Sequence, residues 1–395
     1  MRKVVDAKTR DSDSGPDTAT EAAPWNRRRV ITGTRLFVGF TLAALLFLFA
    51  RGNFGAQLRL LFSLSPLFLG IGLAQTVLDF FGGGFRLWFL SRAFGERIRF
   101  STCVRANGTN IFVGGVTPSQ TGGGPAQIYL MAREGTSYPV AMATSLIAYL
   151  GTIAVLVGGG AVIMLGAPLH TVGQEFRLFS SVAVGALLLL LLAFLPFILK
   201  PDAGARVLRR VVHRLPIVGR KLADNGPLAR LESTARDFST LMHEAWRHQK
   251  LRVLGGIIIT VLIYLNKFLV AYVVMRGLGL TVNVWHVLYL QWVSYLVIYF
   301  APTPGAGGLA EIAGAGIMQS ILPGSHAGAF VLLWRAFSLY IPMLLGGTYL
   351  LRGLLQAERG GGKRRRPPGG SAEFVSSPEE VSRSLAAGLS SVEPR

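Results

Sequence analysis

The sequence predicts an all-α polytopic membrane protein, with about six full transmembrane helices and two inverted re-entrant hairpins. Three observations carry this. Hydrophobic residues make up 51% of the 395-residue chain, charged residues only 15%, and the mean hydropathy is +0.47; soluble domains carry more charge and lack such long apolar stretches. Apolar runs alternate with clusters of Arg and Lys. One Gly/Pro-rich stretch also occurs twice inside apolar surroundings. The first copy runs from Pro118 through Ser119, Gln120, Thr121, Gly122, Gly123, Gly124, Pro125, Ala126 and Gln127 to Ile128. The second runs from Pro302 through Thr303, Pro304, Gly305, Ala306, Gly307, Gly308, Leu309, Ala310 and Glu311 to Ile312. Irregular backbone of this kind cannot face lipid, because nothing there satisfies its N–H and C=O groups.

In chain order, residues 1–24 are polar and mixed in charge. They are expected to form a disordered cytoplasmic extension, within a non-membrane region of residues 1–30. Arg27, Arg28 and Arg29 precede the first span, residues 36–50, which places the N-terminus inside. Residues 51–65 read as a short external connection. The second span, residues 66–90, holds Asp79, Arg86 and a run of three glycines, Gly82 to Gly84. Basic residues Arg92, Arg97, Arg99 and Arg105 return the chain to the cytoplasmic side. The moderately apolar stretch 101–116, with Asn107 and Asn110, leads into the first motif. Arg133 follows, so this hairpin should enter and leave on the cytoplasmic face. Residues 140–166 and 179–199 are the third and fourth spans.

Residues 200–252 form a basic cytoplasmic loop, expected to make surface helices, some lying on the bilayer. The fifth span, residues 253–275, contains Asn266 and Lys267. The flanks of the second motif, 277–283 and 323–328, carry no Lys or Arg. The second hairpin should therefore enter from outside. The alternative is that residues 285–300 and 312–322 each cross fully; at about 20 residues per crossing both are short. The last span is 329–351, with Arg335 in it. The transmembrane domain is taken as residues 31–356 and the basic cytoplasmic tail as residues 357–395. Both termini are cytoplasmic in either topology.

The formal net charge of +20 would ordinarily raise nucleic-acid binding. The basic residues instead border apolar segments, where they set topology and touch anionic lipid, so no nucleic-acid partner is expected. A single cysteine, Cys103, allows no disulfide framework. No His spacing of a metal site and no Walker sequence occurs; metal, ATP and other cofactors are not expected.

The paired motifs are the candidate site. Half-helix N-termini carry partial positive charge and free N–H donors, which suits an anionic headgroup. Ser119, Gln120, Thr121 and Thr303 would add hydroxyl and amide bonds. The plainer reading is that Gly123, Gly124, Gly307 and Gly308 only permit close helix packing; packing does not require the polar tip. Ionisable residues within spans are functional candidates. Asp79 and Arg86, seven residues apart, share a helix face and would serve equally as a structural pair. Lys267 and Arg86 have snorkelling as a further alternative. Glu311 stands where the other copy has neutral Gln127. It would either pair with Arg335 or carry a proton or cation. The proton role is preferred, because Gln127 shows that the turn itself needs no charge.

These residues resemble the lysylphosphatidylglycerol synthase transmembrane-region family, also called flippase-like integral membrane proteins. The two motifs carry the likeness. Arg86 before Leu87 and Trp88, and Arg335 followed by Tyr340, Ile341, Pro342 and Gly346, carry its secondary signatures. The likeness spans roughly residues 36–351. No aminoacyl-transfer domain follows residue 351, so the resemblance implies lipid translocation without the synthase activity. The expected substrate is a phospholipid or lipid-linked group with a phosphate headgroup, in the inner membrane. Its binding residues would be Ser119, Gln120, Thr121, Gly123, Gly124, Gln127, Thr303, Gly307, Gly308, Glu311, Arg86 and Arg335. Two alternatives stand: an enzyme acting on a polyprenyl-phosphate-linked group in the same cavity, and a scaffold for a separate lipid-modifying enzyme.

Overall fold

A computed structural model describes residues 27–166, 174–199, 206 and 227–359. The expected N-terminal extension, the C-terminal tail and much of the 200–252 loop lie outside the described residues. Every regular element among the described residues is helical. The helices are α1 (Arg27–Arg51), α2 (Phe54–Phe62), α3 (Pro66–Ser91), α4 (Phe100–Val116), α5 (Gly123–Arg133), α6 (Tyr138–Gly166) and α7 (Gln174–Leu199). They continue with α8 (Pro227–His248), α9 (Lys250–Gly277), α10 (Val284–Phe300), α11 (Leu309–Met318), α12 (Ala327–Arg335) and α13 (Ile341–Arg359). The π-helical segment Ala336–Tyr340 joins the last two. The chain is an all-α polytopic membrane protein. Five helices are long and apolar enough to cross a bilayer: Val30–Arg51, Pro66–Phe94, Tyr138–Gly160, Lys250–Gly277 and Gly324–Arg352. The expected fourth span falls on α7, whose described apolar stretch is the shorter Leu178–Phe194.

Helices α3 and α9 form the central seam, and they run antiparallel. A Cβ on Gly277 would meet Phe68, one on Gly82 would face Ile263, and one on Gly256 would meet Leu90. Asn266 Nδ2 donates to Gln75 O at 3.0 Å midway along. Small residues let these backbones approach, and in lipid such packing, rather than water exclusion, holds helices together. Gly84 lies against the Val104 backbone of α4, and Gly108 of α4 against Gly346 of α13.

Both motifs lie in helical hairpins of matching construction. α4 and α10 are each 17 residues long, and 284 minus 100 and 300 minus 116 both give an offset of 184. α5 has 11 residues and α11 has 10. At 1.5 Å per residue these span about 15 Å, half a hydrocarbon core. Neither crosses alone. The first hairpin closes on itself: Thr102 Oγ1 donates to Glu134 Oε2 at 2.7 Å, and Arg105 pairs with the same carboxylate. Each hairpin also packs on the other half of the chain. Gly108 in α4 crosses Gly346 in α13; Trp292 in α10 crosses Gly160 in α6 and donates from Nε1 to Leu156 O at 2.8 Å. Residues 108 and 292 are again 184 apart.

Two connections differ from expectation. Residues 54–62 are helix α2, not a plain linker, because Gln57 anchors them. Its amide donates to Leu48 O and Phe49 O, both at 3.4 Å, and accepts from Ala329 N at 3.2 Å in the first turn of α12. The helix described within the 200–252 loop, α8, docks on the bundle rather than only on a bilayer surface. Phe238, Met242 and Ala245 are buried in one cluster with Leu90, Phe94, Val140 and Val253.

Candidate functional site at the meeting of two hairpin turns

The turns of the two hairpins touch. Pro118 and Pro304 form an isolated antiparallel bridge, and a Cβ on Gly305 would lie 2.7 Å from Gly115 O. Only glycine fits there, and Gly305 also has φ +56°. A side chain would meet both the left-handed backbone and the neighbouring turn.

The first turn is closed by its own chain. Thr117 Oγ1 accepts from Gly122 N at 3.0 Å. The N–H groups of Gln120, Thr121, Gly123 and Ala126 bond to the carbonyls of Thr117, Pro118, Gln120 and Gly122. The expected free donors at the start of α5 are thus largely engaged within the turn, a correction to the helix-terminus reading. What remains outward is side chain. Ser119, Gln120 and Thr121 are exposed, although Thr121 Oγ1 also donates to Pro118 O at 2.9 Å. Ser119 and Gln120 hold φ of +50° and +55°, conformations that non-glycine residues adopt at a cost. Gly123 is a packing residue, since a Cβ there would lie 2.8 Å from Asn110 O; Gly124 faces open space.

The second turn is covered. Pro304, Gly305, Ala306 and Gly307 are buried, with Thr303 partly so. Phe37 and Thr41 of α1 lie against Gly307, and Phe40 against Gly308. The hydroxyls of Thr303 and Thr41 are buried with no bonding partner. Gly308 has φ +80°.

Behind the second turn is an ion pair that the sequence raised as one of two readings. Arg335 Nε lies 2.9 Å from Glu311 Oε1, and the side chains are 3% and 0% exposed. Arg335 Nη2 donates to Gly305 O at 2.7 Å, tying the pair to the turn. The Tyr340 hydroxyl donates to the same Glu311 oxygen at 3.0 Å. In an α-helix, residues five apart point about 140° from each other. The π segment between Arg335 and Tyr340 widens the turn and brings both to Glu311. The equivalent residue in the first half, Gln127, accepts from Asn110 Nδ2 and donates to Ser145 Oγ, both at 2.7 Å.

The remaining charges are arranged differently from the helix-face spacing. Asp79 pairs with Lys267 across the α3–α9 seam at 2.7 Å. Arg86 is not its salt-bridge partner. Its Nη1 donates to Ala148 O at 3.4 Å and Thr260 Oγ1 at 3.5 Å, on α6 and α9. Neither of these bonds reaches the Glu311–Arg335 pair. Tyr340, Asn110 and Ser145 were not among the expected site residues. Asn110 was detectable as an amide inside an apolar hairpin, whereas Ser145 had no local signal.

Fold and site together define a multi-pass membrane protein whose two broken helical hairpins meet turn to turn beside a buried ion pair. Residues 35–346 match the family described as the lysylphosphatidylglycerol synthase transmembrane region. That is more than three quarters of the sequence, and the chain belongs to this family. No curated protein is detectably similar to it.

Proposed function

We propose that the protein moves a lipid with a phosphate headgroup between leaflets of the inner membrane, through a polar region at the two hairpin turns. The carrying observation is the contact of the turns themselves, with Ser119, Gln120 and Thr121 exposed beside it. The two halves read as an inverted repeat: hairpins 184 residues apart have the same construction, and the equivalent helices α3 and α9 are antiparallel. Inverted repeats with broken helices at their interface suit alternating access to one site. Under this reading the first hairpin opens to the cytoplasm, the second to the outside, and both termini are cytoplasmic. Ser119, Gln120, Thr121, Gly124 and Gln127 would meet the headgroup from the first half, and Thr303, Gly307 and Gly308 from the second, with the Glu311–Arg335 pair held behind them. Membrane lipid is the partner; a separate lipid-modifying enzyme would supply or consume it.

The test is leaflet exchange. Purified protein in vesicles carrying headgroup-labelled phosphatidylglycerol should speed transfer between leaflets, and protein-free vesicles should not. Chemical change in the lipid without exchange would favour an enzyme. Neither exchange nor chemical change would favour a scaffold.

A further inference from the structure

The two halves differ in charge at matching places. In the second half, the Arg335 guanidinium is neutralised by Glu311. By the same offset of 184, Glu311 lines up with Gln127 and Arg335 with Gly151. Gln127 is neutral and is bonded to Asn110 and Ser145. Gly151 has no side chain, and it shares a neighbour, Thr260, with the Arg86 guanidinium. A Cβ on Gly151 would lie 3.1 Å from Thr260 Oγ1, the same oxygen that Arg86 Nη1 reaches at 3.5 Å. Arg86 thus reaches α6, the helix equivalent by this offset to the one that carries Arg335.

Only the first-half guanidinium lacks a carboxylate. Among the described residues Arg86 has no salt bridge, its two bonds are long, and its Nε is buried without a partner. The nearby carboxylate, Asp79, is held by Lys267 at 2.7 Å. Arg86, Lys267 and Asp79 thus sum to one uncompensated positive charge within the helices. Such a charge is costly unless an anion meets it. Ser145, which holds Gln127, and Ala148, which holds Arg86, are three residues apart. They lie on one face of α6, about 4.5 Å along its axis. Amide and guanidinium flank one strip of that helix.

We propose that the first half contains an anion-receptive site. Arg86 takes the anionic phosphodiester of a lipid headgroup, with the Gln127 amide beside it. The second half, neutralised by Glu311, does not compete for that anion. The inference rests on the translocation reading only for the identity of the ligand. It makes the two halves unequal: one attracts the headgroup by charge and the other does not.

The test uses full-length protein in a neutral detergent, titrated with dihexanoylphosphatidylglycerol, dihexanoylphosphatidylcholine or inorganic phosphate. Wild type should bind the phosphatidylglycerol at least about 10-fold tighter than the phosphatidylcholine, whose phosphodiester is already balanced by its own choline cation and so cannot offset the excess positive charge. Arg86→Gln should abolish that preference. Gln127→Glu gives the first half the carboxylate of the second. It should also abolish the preference, and because it keeps the side-chain shape and the bond from Asn110 it serves as the second variant should Arg86→Gln fail to fold. Retained preference in either folded variant overturns the proposal. Binding of inorganic phosphate but not of the lipid overturns the headgroup assignment. Leaflet exchange is read separately: exchange with Arg86-independent binding sinks this inference and leaves translocation standing. Arg86-dependent binding without exchange does the reverse.

Discussion

At the scale of residues, the Glu311–Arg335 pair has the clearest energetic consequence. Both side chains are buried, and Tyr340 and the Gly305 carbonyl complete their bonding. Removing one member of such a pair leaves an uncompensated charge, at a cost of about 3–5 kcal/mol. Glu311→Gln and Arg335→Gln should each lower the unfolding midpoint, and the double variant should recover part of the loss. Unfolding of the three variants in detergent gives the coupling; strictly additive losses would mean the pair contributes no mutual stabilisation. The sequence singled out Glu311 because its counterpart is neutral, and named Arg335 as a possible partner. It misdirected Arg86 towards Asp79. Spacing along one helix is visible in a sequence, whereas the partner Lys267 lies 188 residues away and depends on the register of two crossing helices.

At the scale of elements, the turns and their supports decide the outcome. Proline and glycine marked both turns in the sequence, and the hairpins form where they were expected. What the pattern did not carry was their difference in cover: α1 lies over Gly307 and Gly308 of the second turn and meets the first hairpin at Val116, before its turn. Ser119 and Gln120 hold left-handed backbone on the exposed turn. Ser119→Gly should relieve that strain and stabilise by about 0.5–1 kcal/mol once the greater freedom of glycine is subtracted; a lowered midpoint would show that the hydroxyl matters more than the backbone. Replacing Ser119, Gln120 and Thr121 together by alanine should reduce leaflet exchange while folded yield stays near normal, because none is packed inside. Loss of folded protein without a separable exchange defect would return the motif to a packing role. Helix α2 gives the opposite case. Gln57 is fully buried and joins α1, α2 and α12. Gln57→Leu should cost about 1–3 kcal/mol, since it strands a buried N–H and two carbonyls; an unchanged midpoint would place the anchor elsewhere. No periodicity in residues 51–65 disclosed that role, which depends on a contact with Ala329.

At the scale of the molecule, charge placement and internal geometry make one joint demand. Val140, at the start of α6, joins the cluster of Leu90 and Phe94 at one end of the seam. Gly324, beside Ser325, lies against Gly52 in the connection that leads into α3, at the other. Because α3 and α9 are antiparallel, with Leu90 near Gly256 and Phe68 near Gly277, those places lie at opposite ends of the bundle. Ser137 and Ser325, both exposed, therefore mark the two ends. On the proposed orientation, the basic residues around the first hairpin put Ser137 in the cytoplasm, and the Lys- and Arg-free flanks of the second put Ser325 outside. Cysteine at Ser325 should react with an impermeant maleimide in intact cells, and cysteine at Ser137 only after permeabilisation. The native Cys103 is 0% exposed and should stay silent, so the parent chain serves as the blank. Labelling of both positions from outside would break the inverted arrangement. Labelling of Ser137 alone from outside would keep the repeat but reverse its orientation, moving the first hairpin and Arg86 to the external half.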